Sequence, residues 1–215
     1  ALSDRDSLKF ALEGLADTKM INVVTELSID EYLEGSFEYF AEMVFGTNAK
    51  NRSNFILETD LEGMTVKLPL PFFKEQKERI EFKINIDFTD DKEFAYLSYA
   101  DHDLFLTTKE REVINAAIAL SGKTLPKDLP QNNGLVMGEL EAINLAAYLD
   151  LISVSEPLDF FWKLEDLQIG QVSFRDIALQ NVTANGKLGG PVSRVEIQSQ
   201  LVDGAVEIEM EGNIN

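Results

Sequence analysis

Apolar and polar residues alternate along much of this chain with a period of two. That is the spacing of a strand with one face buried and one in water. The clearest run is residues 80–88. Ile80, Phe82, Ile84, Ile86 and Phe88 share one face, and Glu81, Lys83, Asn85 and Asp87 share the other. Five such side chains left in water would forgo roughly 1.5–3 kcal/mol each, so something must cover them. Phe37, Tyr39, Ala41, Met43 and Phe45 form a second run of this kind. A third extends from Trp162 to Leu179, with Leu167 and Ile169 before Gly170 and Val172 and Phe174 after it. Ile177 and Leu179 then follow a one-residue slip at Asp176. The glycine and the slip read as a bend and a bulge. Val192 to Val202 and Ala205 to Met210 repeat the alternation, with Asp203-Gly204 expected as a tight hairpin turn between them.

Other stretches fill in the same picture. Leu8, Phe10 and Leu12 alternate as a strand. Asp17 or Thr18 then caps a short helical run carrying Met20, Val23, Val24 and Leu27, which Gly35 is expected to stop. Phe55–Leu61 and Met64–Leu68 read as short strands, and Phe72–Lys77 as an exposed connection after Pro69 and Pro71. Phe94–Tyr99 and Leu104–Thr107 follow turns at Asp90-Asp91 and Asp101-His102-Asp103. Residues 107–120 fit a helix or a strand, and the strands around them favour strand. Leu135–Leu140 is a strand, and Asn144 caps a short helix over Leu145–Ile152. Strands 8–12 residues apart with only two short helices predict a mainly β fold. The expected architecture is a long, twisted antiparallel sheet or meander with an apolar concave face. Residues 1–157 form its central β-rich region, and residues 158–215 begin a C-terminal meander, in one continuous sheet.

Charge narrows the partners. The net charge of −19 is repelled by phosphate backbones and by anionic bilayer surfaces, so nucleic acid is excluded as a partner. Any lipid would have to be met by an apolar surface. The absence of cysteine rules out disulfides and thiolate-bound metals. No stretch is long and apolar enough to span a bilayer, and no signal peptide opens the chain. The start at Ala1 and the end just after a strand read as an internal piece of something longer.

Catalytic signatures are weak. Ala117–Thr124, AIALSGKT, ends like a phosphate-binding loop, but its first position is alanine and Leu125-Pro126 replaces the helix that should follow. The only histidine, His102, sits between Asp101 and Asp103 and reads as part of a solvated turn. No nucleophile elbow, calcium loop or metal-ligand spacing is present. Two sheets packed face to face would bury the apolar strand faces as a plain sandwich core, and spacing alone slightly favours that arrangement.

Two segments carry a family resemblance. Thr59–Lys74, TDLEGMTVKLPLPFFK, resembles the Leu-x-Gly … Leu-Pro-x-Pro … Lys signature of the YhdP branch of the AsmA-like proteins of Gram-negative bacteria. Leu164–Leu179 is similar to the strand pair of their AsmA-like C-terminal region. Tyr96–Tyr99, Ala117–Gly122, Leu129-Pro130 and Gly134–Leu140 keep the family's order between them, although Tyr148 stands where the family pattern has tryptophan.

The resemblance implies an internal periplasmic segment of an envelope protein, anchored in the inner membrane through parts of the full-length chain. It implies carriage of phospholipid toward the outer membrane along an apolar β-groove, supporting the outer-membrane barrier. Phe82, Ile84, Ile86, Val172, Phe174, Ile177, Leu179, Val206, Ile208 and Met210 are the expected lining, with phospholipid acyl chains as the partner and no cofactor or metal. A scaffold or binding β-sandwich contacting peptidoglycan or an envelope protein is the alternative. A hydrolase using Asp90, Asp91 and Asp101–Asp103 is the weakest reading, and the chain is expected not to be an enzyme.

Overall fold

The structure is a computed structural model that describes residues 7–25, 31–46, 52–110, 112–126, 133–152, 161–189 and 192–209. Thirteen strands form one sheet whose order follows the chain, apart from a short strand set beside the second. The chain divides into two compact units, one of residues 1–68 and 72–113, the other of residues 69–71 and 114–215.

The first unit contains β1 (Ser7–Asp17), α1 (Thr18–Thr25), β2 (Leu33–Gly46), β3 (Ser53–Thr59), β4 (Met64–Val66), β5 (Phe82–Phe88), β6 (Glu93–Tyr99) and β7 (His102–Lys109). Its strand pairs are all antiparallel. Asp17 caps α1, its Oδ1 accepting the Met20 amide at 2.8 Å, so β1 ends where the helix begins. Gly35 does not stop a helix. It lies inside β2 at φ +112°, and a Cβ there would sit 2.2 Å from the Gly63 carbonyl oxygen. Glycine is needed because β2 passes that close to the turn before β4. Ile80 falls outside β5, and its amide bonds the Asp60 carbonyl instead.

The second unit contains β8 (Glu112–Leu120, from Ile114 onward), β9 (Asn133–Asn144), α2 (Leu145–Ile152), β10 (Phe161–Phe174), β11 (Ile177–Leu188), β12 (Val192–Gln198) and β13 (Asp203–Glu209). Here the sheet departs from the expected antiparallel meander, because β9 runs parallel to both β8 and β10. Parallel neighbours need a crossover of about a dozen residues, which 121–132 and 145–160 supply. Asn144 caps α2, its Oδ1 accepting the amides of Ala146 and Ala147 at 3.1 and 3.4 Å.

Two turns lie elsewhere than expected. Asp176 is not a bulge within one strand. Arg175 and Asp176 form the two-residue loop of a hairpin, with Arg175 at φ 52° and Phe174 paired to Ile177. The irregularity in β10 falls between Leu164 and Leu167, where Asp166 takes φ 46°. Asp203-Gly204 is not a turn either. Both residues pair in β13, and Ser199–Val202 closes that hairpin with a 2.7 Å bond from the Ser199 amide to the Val202 carbonyl. Within each unit the described strands, β4 apart, follow a single hydrogen-bonded order.

Candidate functional site

Strand register in the first unit assembles two unbroken apolar rows. Directly opposed residues of antiparallel strands share a face. One row runs Phe10, Met43, Phe55, Ile86, Ala95, Leu106 across β1, β2, β3, β5, β6 and β7. The next runs Leu12, Ala41, Leu57, Ile84, Leu97, Leu104 across the same strands. No polar side chain interrupts either row. Of the twelve only Ala41 is buried. Phe10 and Leu12 are 52% and 62% exposed, and the others are partly covered. Five strand spacings make each row about 24 Å long.

One end of this face is closed. The next residues along the strands include three aromatics, Tyr39 on β2, Phe82 on β5 and Tyr99 on β6, with Gly14 on β1, Thr59 on β3 and His102 on β7. Tyr39, Phe82 and Tyr99 pack against a buried cluster of Ala16, Phe37, Leu61 and Met64, which Ile21 of α1 and Leu33 also join. The Tyr99 hydroxyl donates to the Phe72 carbonyl at 2.9 Å, and burial pushes its pKa up to about 12. His102 is buried, not part of a solvated turn, with its ring 5.5 Å from that of Phe72. Residues 72–77 are not simply an exposed connection. Lys74 is fully buried, its ammonium donating to the carbonyls of Met64 (2.8 Å) and Glu75 (2.9 Å). Burial draws its pKa below the usual lysine value, against the opposing pull of Glu78, Asp60 and Glu62. A cation tied to backbone carbonyls thus clamps the 60–80 segment over the end of the sheet.

The family whose description is "YhdP protein" matches residues 2–215. The chain belongs to this family. No curated protein and no solved structure matches it. YhdP proteins are bacterial envelope proteins, and among the described residues no helix is long and apolar enough to cross a membrane. The YhdP-like signature has a structural reason here, because its residues build the closed end. Leu61 is in the cluster, Gly63 (φ +93°) would place a Cβ 2.3 Å from the Ser36 carbonyl oxygen, and Lys74 is the clamp.

The expected lining residues of this YhdP-family chain divide by location. Ile84 and Ile86 lie in the two open rows, and Phe82 in the aromatic row that ends them. Sequence reasoning missed Met43, Phe55, Leu57, Leu97, Leu104 and Leu106, which register brings beside them. In the second unit Val172 is buried and pairs with Leu179 and Ile143, while Phe174 pairs with Ile177, which is 62% exposed at the hairpin tip. Gly170 and Asn181 do not pair, and Asn181 takes φ 53°, so the alternation breaks between Ile169 and Val172. Ile169 pairs with Val182 and Leu140 in a separate buried row. Val206 pairs with Val195 and is 47% exposed. Ile208 pairs with Ser193, and Met210 lies outside the described residues.

The opposite face of the first unit mixes apolar and polar side chains within each row, as in Ala11, Glu42, Ile56, Asn85, Tyr96 and Phe105. A depression of about 1030 Å³ lies where β2 and β3 cease to pair, lined from this face by Glu13, Glu38, Phe40 and Lys83 and from the apolar face by Tyr39 and Phe82. Lys83 pairs with Glu58, and Lys9 pairs with Glu42 at 2.6 Å. Asn54 Nδ2 donates to Asn85 Oδ1 and Asp87 Oδ1 at 2.6 and 2.8 Å. Among the described residues no group of three or more histidines and carboxylates is placed to hold a metal ion.

Proposed function

We propose that this chain is a periplasmic segment of an inner-membrane-anchored envelope protein, and that its apolar sheet face conducts phospholipid acyl chains between the inner and outer membranes. The observation that carries the reading is the pair of uninterrupted apolar rows over six strands, exposed or only partly covered at every position but Ala41. Burying the same surface inside a closed domain would stabilise it, so a face left open in this way fits a surface covered by ligand. The rows run across the strands. A lipid moving from strand to strand meets apolar side chains at each step of about 4.8 Å and, in these rows, no hydrogen-bonding side chain that would hold it.

Binding of this kind needs no catalytic group, and the chain acts as a conduit rather than an enzyme. Its negative charge keeps it off anionic bilayer surfaces and leaves the membrane ends to other parts of the protein. Family membership supports the envelope setting. The purified chain should carry phospholipid, detected by solvent extraction and mass spectrometry, above the level on a β-protein of matched size. It should also take up a fluorescent phospholipid. A lipid-free chain that takes up none would reject the reading and favour an envelope scaffold with a protein or peptidoglycan partner.

A further inference from the structure

The open face has a floor, and its placement bears on which acyl chains it accepts. This inference rests on the lipid-conducting reading above. Along β2 the apolar positions run Phe45, Met43, Ala41, Tyr39, and then Phe37 in the buried cluster. Six residues from Phe45 to Tyr39 at about 3.3 Å each give a lane roughly 20 Å deep. One leaflet of a bilayer, half of a hydrocarbon core about 30 Å thick, needs about 15 Å. A phospholipid with its headgroup beside Phe45 and its chains along the strands therefore ends about 5 Å short of the aromatic row, so chains somewhat longer than an ordinary leaflet needs are the ones that meet it.

The floor is braced on several sides. Tyr39, Phe82 and Tyr99 all pack on the buried cluster. The Phe82 and Tyr99 rings meet edge to face at 6.5 Å, and the Tyr99 and Phe72 rings lie 6.1 Å apart. Tyr39 fills the space above Gly14, where an added Cβ would lie 3.2 Å from its ring. The two apolar rows therefore give way to a wall, a row that carries three supported aromatic rings.

We propose that Tyr39, Phe82 and Tyr99 form an acyl-length stop, so that the face favours phospholipids whose chains end at this wall over longer ones. A methylene beyond the wall meets the buried cluster, whose space is already filled. With the wall cut back, each additional methylene that reaches the vacated space gains roughly fourfold in binding, the ratio for burying one CH₂.

The test is competition. The purified chain is incubated with vesicles holding equal amounts of dipalmitoyl and diarachidoyl phosphatidylethanolamine, the first with chains that end near the wall and the second with chains that overrun it, and the bound lipid is measured by mass spectrometry. The wild-type chain should favour the shorter lipid. Phe82→Ala should shift the ratio toward the longer one by at least about fourfold. Phe105→Ala, on the opposite face by register, should leave the ratio unchanged. If Phe82→Ala does not fold, Phe82→Leu should show a shift of the same sign. Lipid bound in equal proportion by wild type and floor variants, or an equal shift with Phe105→Ala, overturns the stop. Absence of bound lipid from every variant, wild type included, instead overturns the reading on which it rests.

Discussion

Ile84→Asp distinguishes an open face from a core. Ile84 sits mid-row, flanked by Leu57 and Leu97. It is only partly buried, whereas Met64 in the closed end is 1% exposed. Full burial of an isoleucine contributes roughly 1.5–3 kcal/mol, so losing a partly buried one costs about 1–1.5 kcal/mol. On an open face the new carboxylate keeps its water. In a core it would add a desolvation cost of several kcal/mol. The expected total is therefore about 1–2 kcal/mol, below the ~2–5 kcal/mol expected for Met64→Ala at a filled site. Urea unfolding of both variants, followed by far-ultraviolet circular dichroism, measures the difference, and uptake of a fluorescent phospholipid is read on the same samples. Ile84→Asp should fold and lose uptake. A loss of stability equal to or greater than that of Met64→Ala would show that the row is core and refute the reasoning.

Three further outcomes follow from the geometry. Lys74→Met removes two charge-assisted hydrogen bonds from a buried site and should lower stability by about 2–4 kcal/mol in urea titration. Gly138 holds φ +119° with a would-be Cβ 2.1 Å from the Leu120 carbonyl oxygen, so Gly138→Ala should cost more than about 3 kcal/mol, whereas Gly122→Ala, at φ +76° with open space around it, should cost only about 1 kcal/mol. Burial, the leading cause in each case, pushes Tyr96, Tyr99 and Tyr148 up to about 12. Between pH 10 and 12 the unfolded chain therefore holds fewer tyrosine protons than the folded one, and their contribution to stability falls as pH rises. The lowered pKa of Lys74 acts with the opposite sign as pH approaches 10.5. The urea midpoint should fall less steeply over this range in Tyr99→Phe than in wild type.

Period-two alternation revealed most strands, because a strand half in water has to alternate. It located β5 to within two residues and assigned Ile84 and Ile86 to one face. It did not reveal Leu57, Leu97 and Leu104 as their neighbours, since alternation assigns a residue to a face but register selects its partners. The parallel pairing of β9 was hidden for the same reason. Arg175-Asp176 read as a slip because a two-residue hairpin loop shifts the alternation much as a bulge does. Lys74 read as exposed because Pro69 and Pro71 end the sheet before it, and His102 because it sits in a short Asp-His-Asp turn, and tertiary contacts with backbone carbonyls and Phe72 bury them instead. The helix caps at Asp17 and Asn144 were legible because capping is local chemistry.

The most direct test of lipid conduction compares two adjacent residues on opposite faces. A photoreactive side chain is placed at Ile84 or at Asn85, the protein is illuminated in living bacteria, and cross-linked products are identified by mass spectrometry. Phospholipid adducts at position 84, with few or none at position 85, are the predicted result. Equal labelling at both positions, or none at 84, would contradict the account.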